Sequence, residues 1–291
     1  MPDPFKHKTR VERRRAEASG RARRRRNAAI ATALCVTVAI CVGVGGYFIY
    51  RRLVPEKLPE PEVFKVTVPE GLTIKQTAEK VAGQTGGAVG AAEFEAAAKA
   101  GGYEYDFLEG SGGNLEGFLF PKTYEMTDEE TGRDVVARML DQFGKETGTL
   151  DWARAQAYNL TRYDVLIIAS MVEKEAKVPE ERPIIASVIY NRLGAGMRLQ
   201  IDATVQYALG TWKPELTYDD LEVDSPYNTY KVSGPPPGPI CNPGFESIRA
   251  ALCPEETDYL YYLLTSPDGR HSFTGDYEQF KRWKEEQSGG P

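Results

Sequence analysis

An α+β fold carried behind one membrane-spanning helix is what three features of this sequence predict. Asn27 to Tyr50 contain no charged side chain, a run long enough to cross the roughly 30 Å apolar core of a bilayer as a helix. Beyond that run, Phe64–Val68 has the two-residue alternation of a strand, and the spacing then switches to the 3.6-residue period of helices. A strand pair, Tyr259–Leu264 with Ser272–Thr274, closes the fold. Strands at both ends with helices between them do not make the regular strand–helix alternation of a parallel α/β sheet.

The charge pattern orients the anchor. Residues 1–26 hold eleven Lys or Arg against three acids, a balance of +8, and Arg51 and Arg52 close the far side. The excess of positive charge places residues 1–26 in the cytoplasm and the remainder outside. A cleaved signal peptide would have a shorter apolar core and a small-residue cleavage site, whereas this run ends in Gly, aromatics and Arg. The chain carries −6 overall, so the part beyond residue 26 carries −14. Such an acidic ectodomain is not built to bind polyanions, which makes nucleic acid an unsuitable partner. A neutral or zwitterionic polymer suits it better.

The expected organisation runs as follows: a basic tail at 1–26, the span at 27–50, and a Pro- and Glu-rich extended linker at 51–62. In 63–110, the strand at 64–68 leads through Pro69-Glu70-Gly71 into a helix from Ile74 to Ala82 with Thr73 as its N-cap. A Gly-rich loop and an alanine-rich helix, Ala91–Ala100, follow, stopped by Gly101-Gly102. In 111–285, Leu115–Tyr124 reads as strand then turn. Thr131–Lys145 reads as a helix with Val135, Val136, Met139, Leu140 and Phe143 inward, and Leu150–Leu160 as a short helix. Thr161–Asp164 opens a long apolar helix. Asn242 and Pro243 read as the N-cap and first residue of a helix reaching Leu252. Residues 286–291 form a tail.

Four cysteines and two histidines limit the chemistry. Cys35 and Cys41 fall in the span. A helix between Cys241 and Cys253 would separate them by about 15 Å, too far for a disulfide, so both are expected as free thiols. Two histidines and no Cys-x-x-Cys pair make a structural zinc site unsuitable, and no cofactor is expected.

The densest chemistry lies at 165–207. An apolar helix runs into Glu173-Lys174-Glu175, and a second helical pattern ends in Asn191-Arg192-Leu193. Then follows the polar string Arg198, Gln200, Asp202, Thr204, Gln206 and Tyr207. A carboxyl group at the end of an apolar helix face has the raised pKa a general acid needs. On a helical projection Glu175 falls among Ile168, Met171 and Val172, whereas Glu173 lies about 160° away, nearer Leu166 and Ala169. Glu175 is therefore the candidate acid and Glu173 the runner-up, though both could equally be solvent-facing helix-end residues beside Lys174 and Lys177. Gln200 and Asp202, two apart, would share one face of an extended segment; Asp202 could instead cap a helix at Ala203–Leu209. Asn228 between Tyr227 and Tyr230 combines an amide with rings that can stack on sugars. Asn191-Arg192 could be mostly structural, with Arg192 bridging to a buried carboxylate, Glu116 could orient the site or form an ion pair, and Gly238 reads as a backbone shape closed to other residues.

This string, with Asp224–Tyr230, Gly234–Ile240 and Asn242-Pro-Gly244 after it, resembles the YceG-like endolytic murein transglycosylases, which cut bacterial peptidoglycan glycan strands. The likeness covers about 63–285 and includes a Leu-Glu-Gly segment at 115–117. It implies several things. The 63–110 segment would be a LysM-like module before a mixed helical and β catalytic domain. The Glu-Lys-Glu segment would hold the catalytic acid, with Gln200, Asp202, Tyr227, Asn228 and Tyr230, and also Glu116 and Asn191, as cleft residues. The partners would be peptidoglycan glycan strands and, in the cell membrane, peptidoglycan synthases.

The implied reaction cleaves the N-acetylmuramic acid–N-acetylglucosamine bond with the muramyl 6-hydroxyl as nucleophile, leaving a 1,6-anhydro end. One carboxyl group then suffices, whereas ordinary glycosidases use a pair. The alternatives are a non-catalytic glycan-binding scaffold of division or elongation, and a hydrolytic muramidase with Asp202, Asp224 or Glu116 as its second carboxylate.

Overall fold

The computed structural model describes residues 10–53 and 60–289. The first nine residues of the basic tail, residues 54–59 of the expected linker, and 290–291 lie outside the described residues. Two compact units result, one ending at Glu60 and the other beginning at Pro61.

Among the described residues, the first unit holds a single helix, α1 (Arg10–Leu53, 44 residues). It starts well before the expected span, because the Arg- and Ala-rich stretch ahead of Asn27 is made of strong helix formers. Its apolar side chains are open: Leu34, Val42 and Phe48 are each at least 65% exposed. With a mean hydropathy of 2.3 over its apolar window, α1 is long and apolar enough to cross a membrane.

In the second unit, β1 (Val63–Thr67) pairs antiparallel with β2 (Thr123–Thr127), from Val63 opposite Thr127 to Thr67 opposite Thr123. Between them lie α2 (Ile74–Gln84) and α3 (Ala91–Ala100), and α4 (Gly132–Thr147) follows and packs on α3. A short 3₁₀ stretch, Trp152–Tyr158, replaces the expected helix at 150–160. The centre is built from α5 (Arg162–Glu175), α6 (Arg182–Gly194) and α9 (Phe245–Leu252), with α7 (Asp202–Leu209) and α8 (Tyr218–Leu221) beside them. The chain ends in the antiparallel hairpin β3 (Tyr261–Leu264) and β4 (His271–Thr274), covered by α10 (Tyr277–Gln287) through Phe280 stacked on Tyr261 at 5.2 Å. The expectations did not cover α10.

One local device starts four of these helices. Thr73, Thr131, Thr161 and Thr217 each accept from the third helical N–H while that residue's side chain returns to the cap backbone. Each such box satisfies two otherwise orphaned donors and is worth about 1 kcal/mol.

Two expectations change. Over 115–124 the order is turn first, then strand. Gly117 sits at φ +92°, where a Cβ would stand 2.7 Å from Pro239 Cγ, and Pro121 has no N–H for a ladder. Pairing therefore begins only at Thr123. At the other end, α9 starts at Phe245 with Gly244 as its N-cap, because the Asn242 side chain is occupied elsewhere. Its Oδ1 accepts from Gly117 N (3.0 Å) and Leu119 N (2.9 Å), and its Nδ2 donates to Leu72 O (2.9 Å) and Glu116 Oε1 (3.4 Å). Its backbone also bridges Leu72 and Gly71. Asn242, 1% exposed, thus joins the β1–α2 turn, the 115–119 turn and the approach to α9.

Asn242→Ala would leave the buried N–H groups of Gly117 and Leu119 unpaired. At about 1–3 kcal/mol for each orphaned group, the variant is expected to lose roughly 3 kcal/mol in urea unfolding of the full chain. A loss below about 0.5 kcal/mol would show that this junction is held by other contacts.

Candidate active site

The second unit buries α5 on every side: Tyr163 and each residue from Val165 to Val172 are inaccessible. An apolar arc therefore does not distinguish the two glutamates that follow. Their partners do. Glu173 Oε2 accepts from Gly244 N (3.1 Å) and Ser247 Oγ (2.6 Å) at the start of α9. Glu175, the last residue of α5, turns toward the hairpin, where its Oε2 accepts from the Tyr262 hydroxyl at 2.9 Å. Burial, and secondarily the nearby Asp202 carboxylate, push the Glu175 carboxyl above its usual range, while Tyr262, His271 and Lys177 oppose that rise. The residue is only half-buried, so part of it still reaches solvent. A desolvated but approachable acid is what proton donation requires.

Asp202 stands in the first turn of α7, whose N-cap is Ile201, so its side chain does not cap the helix. The Tyr230 hydroxyl donates to it instead. Glu175, Asp202 and Tyr230 are electrostatically coupled to one another. Gln200 is not extended as expected. It sits at φ +53°, a left-handed conformation that costs a non-glycine residue about 1–2 kcal/mol. Three bonds from the 228–230 turn hold this bend: Gln200 N donates to Thr229 O (3.1 Å), Ile201 N donates to Thr229 Oγ1 (3.0 Å), and the hydroxyls of Thr204 and Thr229 lie 2.8 Å apart. Strain stored beside a candidate site is a recurrent feature of functional loops.

The other expected residues lie in different surroundings. Asn228 is fully buried and builds the turn, donating to Leu221 O and Val223 O and accepting from Tyr230 N. Asn191 donates to Thr257 O and Tyr259 O. Arg192 forms no ion pair with a carboxylate among the described residues; it donates to Leu260 O (2.6 Å) and Leu199 O. Tyr227 packs against Tyr207, with ring centroids 4.8 Å apart. Gly238 is needed for space and not for backbone shape, because a Cβ there would meet the Tyr163 and Tyr227 hydroxyls at 2.9 Å and Asn114 Nδ2 at 3.0 Å. Cys241 is buried with Sγ on Ser170 O, and Cys253 ends α9.

Glu116 forms a separate centre. It is 4% exposed and accepts from Ile74 N (3.0 Å) at the start of α2 and from the Tyr207 hydroxyl (3.3 Å). Burial pushes its carboxyl up to about 8, against those two hydrogen bonds. It lines a cavity of about 810 Å³ between α2, α3 and the end of α7, with Trp212 on the wall. Glu175, Asp202 and Tyr230 do not line that cavity.

Three residues at the acid escape sequence reasoning: Tyr262, His271 and Glu181. His271 Nδ1 lies 2.6 Å from Glu181 Oε2, and its backbone N donates to Glu181 Oε1 at 2.9 Å. The Tyr262 ring stands edge-on to His271 at 5.5 Å. In sequence, Tyr262 is one of several aromatics in a hairpin pattern and reads as core. Among the described residues, no cluster of three or more His, Cys, Asp or Glu is arranged to hold a metal ion.

A mixed helix-and-sheet unit with a desolvated, half-buried carboxyl at a helix end is compatible with acid–base chemistry. The chain belongs to the YceG-like family, whose model matches residues 48–286. It is 44% identical over 172 residues to the endolytic murein transglycosylase of Bacillus subtilis (strain 168), covering 59% of this chain and 47% of that protein. It is 31% identical over 246 residues to the endolytic murein transglycosylase of Streptococcus pneumoniae (strain ATCC BAA-255 / R6), covering 77% and 44%. The crystal structure of a yceG-like protein from Listeria monocytogenes superposes with a TM-score of 0.66 at 34% identity, over 75% of each chain. The chain spans a little under half the length of these two curated relatives.

Glu116 gives the fold a measurable pH dependence. It is protonated in the folded state up to about 8 and ionises near 4.5 when unfolded. Its contribution is therefore full below about 4.5 and is lost as pH rises toward 8, at up to about 1.4 kcal/mol per pH unit. Glu116→Gln is expected to flatten the fall in urea midpoint between pH 5 and pH 8. An unchanged slope would place that dependence on other groups.

Proposed function

We propose that this chain is a membrane-anchored endolytic murein transglycosylase with Glu175 as its single general acid and base. The observation that carries the reading is the Glu175 carboxyl, desolvated, hydrogen-bonded by Tyr262 and flanked by Asp202 and Tyr230, in a chain related to two proteins named for this activity. Glu175 protonates the glycosidic oxygen between N-acetylmuramic acid and N-acetylglucosamine as the C1–O4 bond breaks. The muramyl O6 closes onto C1 and its proton passes to Glu175, which restores the acid. No water enters and no second carboxylate is consumed. Asp202, held by Tyr230, supplies negative charge beside the positive character that develops at C1.

Further parts of the reading concern placement. The 63–110 segment acts as a LysM-like glycan-binding module ahead of a catalytic part at 111–285. Gln200, Tyr227, Asn228, Tyr230, Glu116 and Asn191 shape the glycan-binding surface directly or through the turns they hold. Helix α1 anchors the chain with its basic end in the cytoplasm, so that the site meets nascent glycan strands beside peptidoglycan synthases. A reporter fused after Pro291 is expected to be active only in a form that works outside the cytoplasm. Activity of a cytoplasmic reporter there would overturn the orientation.

A hydrolytic muramidase is the second reading, favoured by the Asp202 carboxylate beside Glu175. Mass spectrometry of products from purified glycan strands separates the two, because only the transglycosylase leaves 1,6-anhydromuramic ends. On that assay Glu175→Gln is expected to lose turnover by about 10²–10⁴-fold with the folded state retained. Glu173→Gln is expected to keep most turnover and lose thermal stability, since it loosens α5 from α9. Full activity in both variants would end the single-acid mechanism, and a dead Glu173→Gln with an active Glu175→Gln would exchange their roles.

A further inference from the structure

We propose that Tyr262 is the positioning residue for Glu175, and that the Glu181–His271 pair and the Asn191-Arg192 end of α6 hold Tyr262 in place. The β3–β4 hairpin would then set both the orientation and the ionisation of the acid. The kinetic consequence rests on the transglycosylase reading, while the geometry does not.

Glu175 is the last residue of its helix, and the backbone leaves helical geometry at Ala176 (ψ 116°). No further turn of α5 exists to pack against its side chain. The contact that fixes it comes from 87 residues away, where the Tyr262 hydroxyl donates to Oε2 at 2.9 Å. Desolvation and the Glu175 charge both raise the Tyr262 phenol well above its ordinary value, so it stays a proton donor throughout the working range.

A two-stranded hairpin is marginal by itself, and this one is held on both strands from α6. At the start of α6, Glu181 binds His271 of β4 through both carboxylate oxygens, with the two side chains 7% and 6% exposed. At its end, Asn191 holds the carbonyls of Thr257 and Tyr259, and Arg192 holds that of Leu260, just ahead of β3. The His271 ring then meets the Tyr262 ring edge-on. A continuous path of packed polar groups thus runs from α6 to the acid. It accounts for Asn191 and Arg192 without a direct role at substrate.

Other charges also face Glu175. Asp202 from α7 raises its pKa; His271 from β4 and Lys177 beyond α5 lower it; Arg192 from α6 and Tyr230 sense its charge. Among the described residues, Tyr262 is the one that does so through a hydrogen bond, and it stabilises the ionised form. Removing that donor raises the carboxyl pKa further. Catalysis starts from the protonated acid, so the alkaline limb of the rate profile should move upward.

The test uses the detergent-solubilised full chain and its Tyr262→Phe variant, which keeps the ring. Turnover of purified glycan strands is followed across pH, and the Glu175 carboxyl is titrated by ¹³C NMR, assigned by its loss in Glu175→Gln. Tyr262→Phe is expected to lower kcat about tenfold with KM unchanged, and to move both the alkaline limb and the carboxyl titration up by about one pH unit. Glu181→Gln is expected to lower kcat in the same direction, again at constant KM. If Tyr262→Phe leaves the carboxyl titration where it was, the positioning role is overturned, whatever happens to stability. If Glu181→Gln leaves kcat unchanged, the supporting pair is overturned. If the wild-type chain releases no anhydro product but the titration moves as expected, the reaction assignment fails and the role of Tyr262 stands.

Discussion

The rotation of α5 about its own axis is the constraint on which the candidate site depends. Glu173 fixes it by accepting from Gly244 N and Ser247 Oγ at the start of α9. A carboxylate is well placed there, because the first turn of a helix offers unpaired N–H groups and positive potential. With Glu173 committed to α9, Glu175 must point to the other side of the helix, toward the hairpin. Lys174 between them donates to Gly71 O at 3.3 Å and lies 3.7 Å from the centroid of the Trp212 ring. Three consecutive polar residues at the end of one apolar helix therefore reach three different parts of the unit.

Buried polar groups, more than apolar packing, decide how the segments around α5 meet. Asn242 joins three of them with four side-chain hydrogen bonds, and Glu116 extends the same network to α2 and Tyr207. Such networks are costly when incomplete and specific when complete. Apolar side chains alone would tolerate several arrangements of these turns, whereas an amide with two donors and two accepted bonds tolerates few.

Two carboxyl groups in this unit share the same leading influence and serve different ends. Desolvation raises both Glu116 and Glu175. Glu116 is sealed at 4% exposure and bonded to a helix start, an amide and a phenol, which suits a structural acid. Glu175 keeps a route to solvent and a single phenol donor among the described residues. Their accessibility, and not the direction of their pKa shifts, is what differs between them.

Much of this was legible in the sequence because it is local. The uncharged run of α1, the threonine cap at 73, and the helix stop at Gly101-Gly102 each depend on a few neighbouring residues. The Glu-Lys-Glu segment and the polar string after it marked the region of the site, and their likeness to a family agreed with the family match. The choice between Glu173 and Glu175 rested on a helical projection, yet α5 is buried all round, so that projection held no such information. Tertiary contacts alone separated the pair, through Gly244 and Ser247 for one and Tyr262 for the other. The same is true of Asn242, diverted from capping α9 by two turns more than 120 residues earlier, and of Gln200, bent by Thr229. A hydrogen bond between residues 70 or 120 positions apart leaves no periodic trace in a chain. The sequence by itself therefore determined which residues were available for the chemistry, and only the tertiary structure decided which of them face one another.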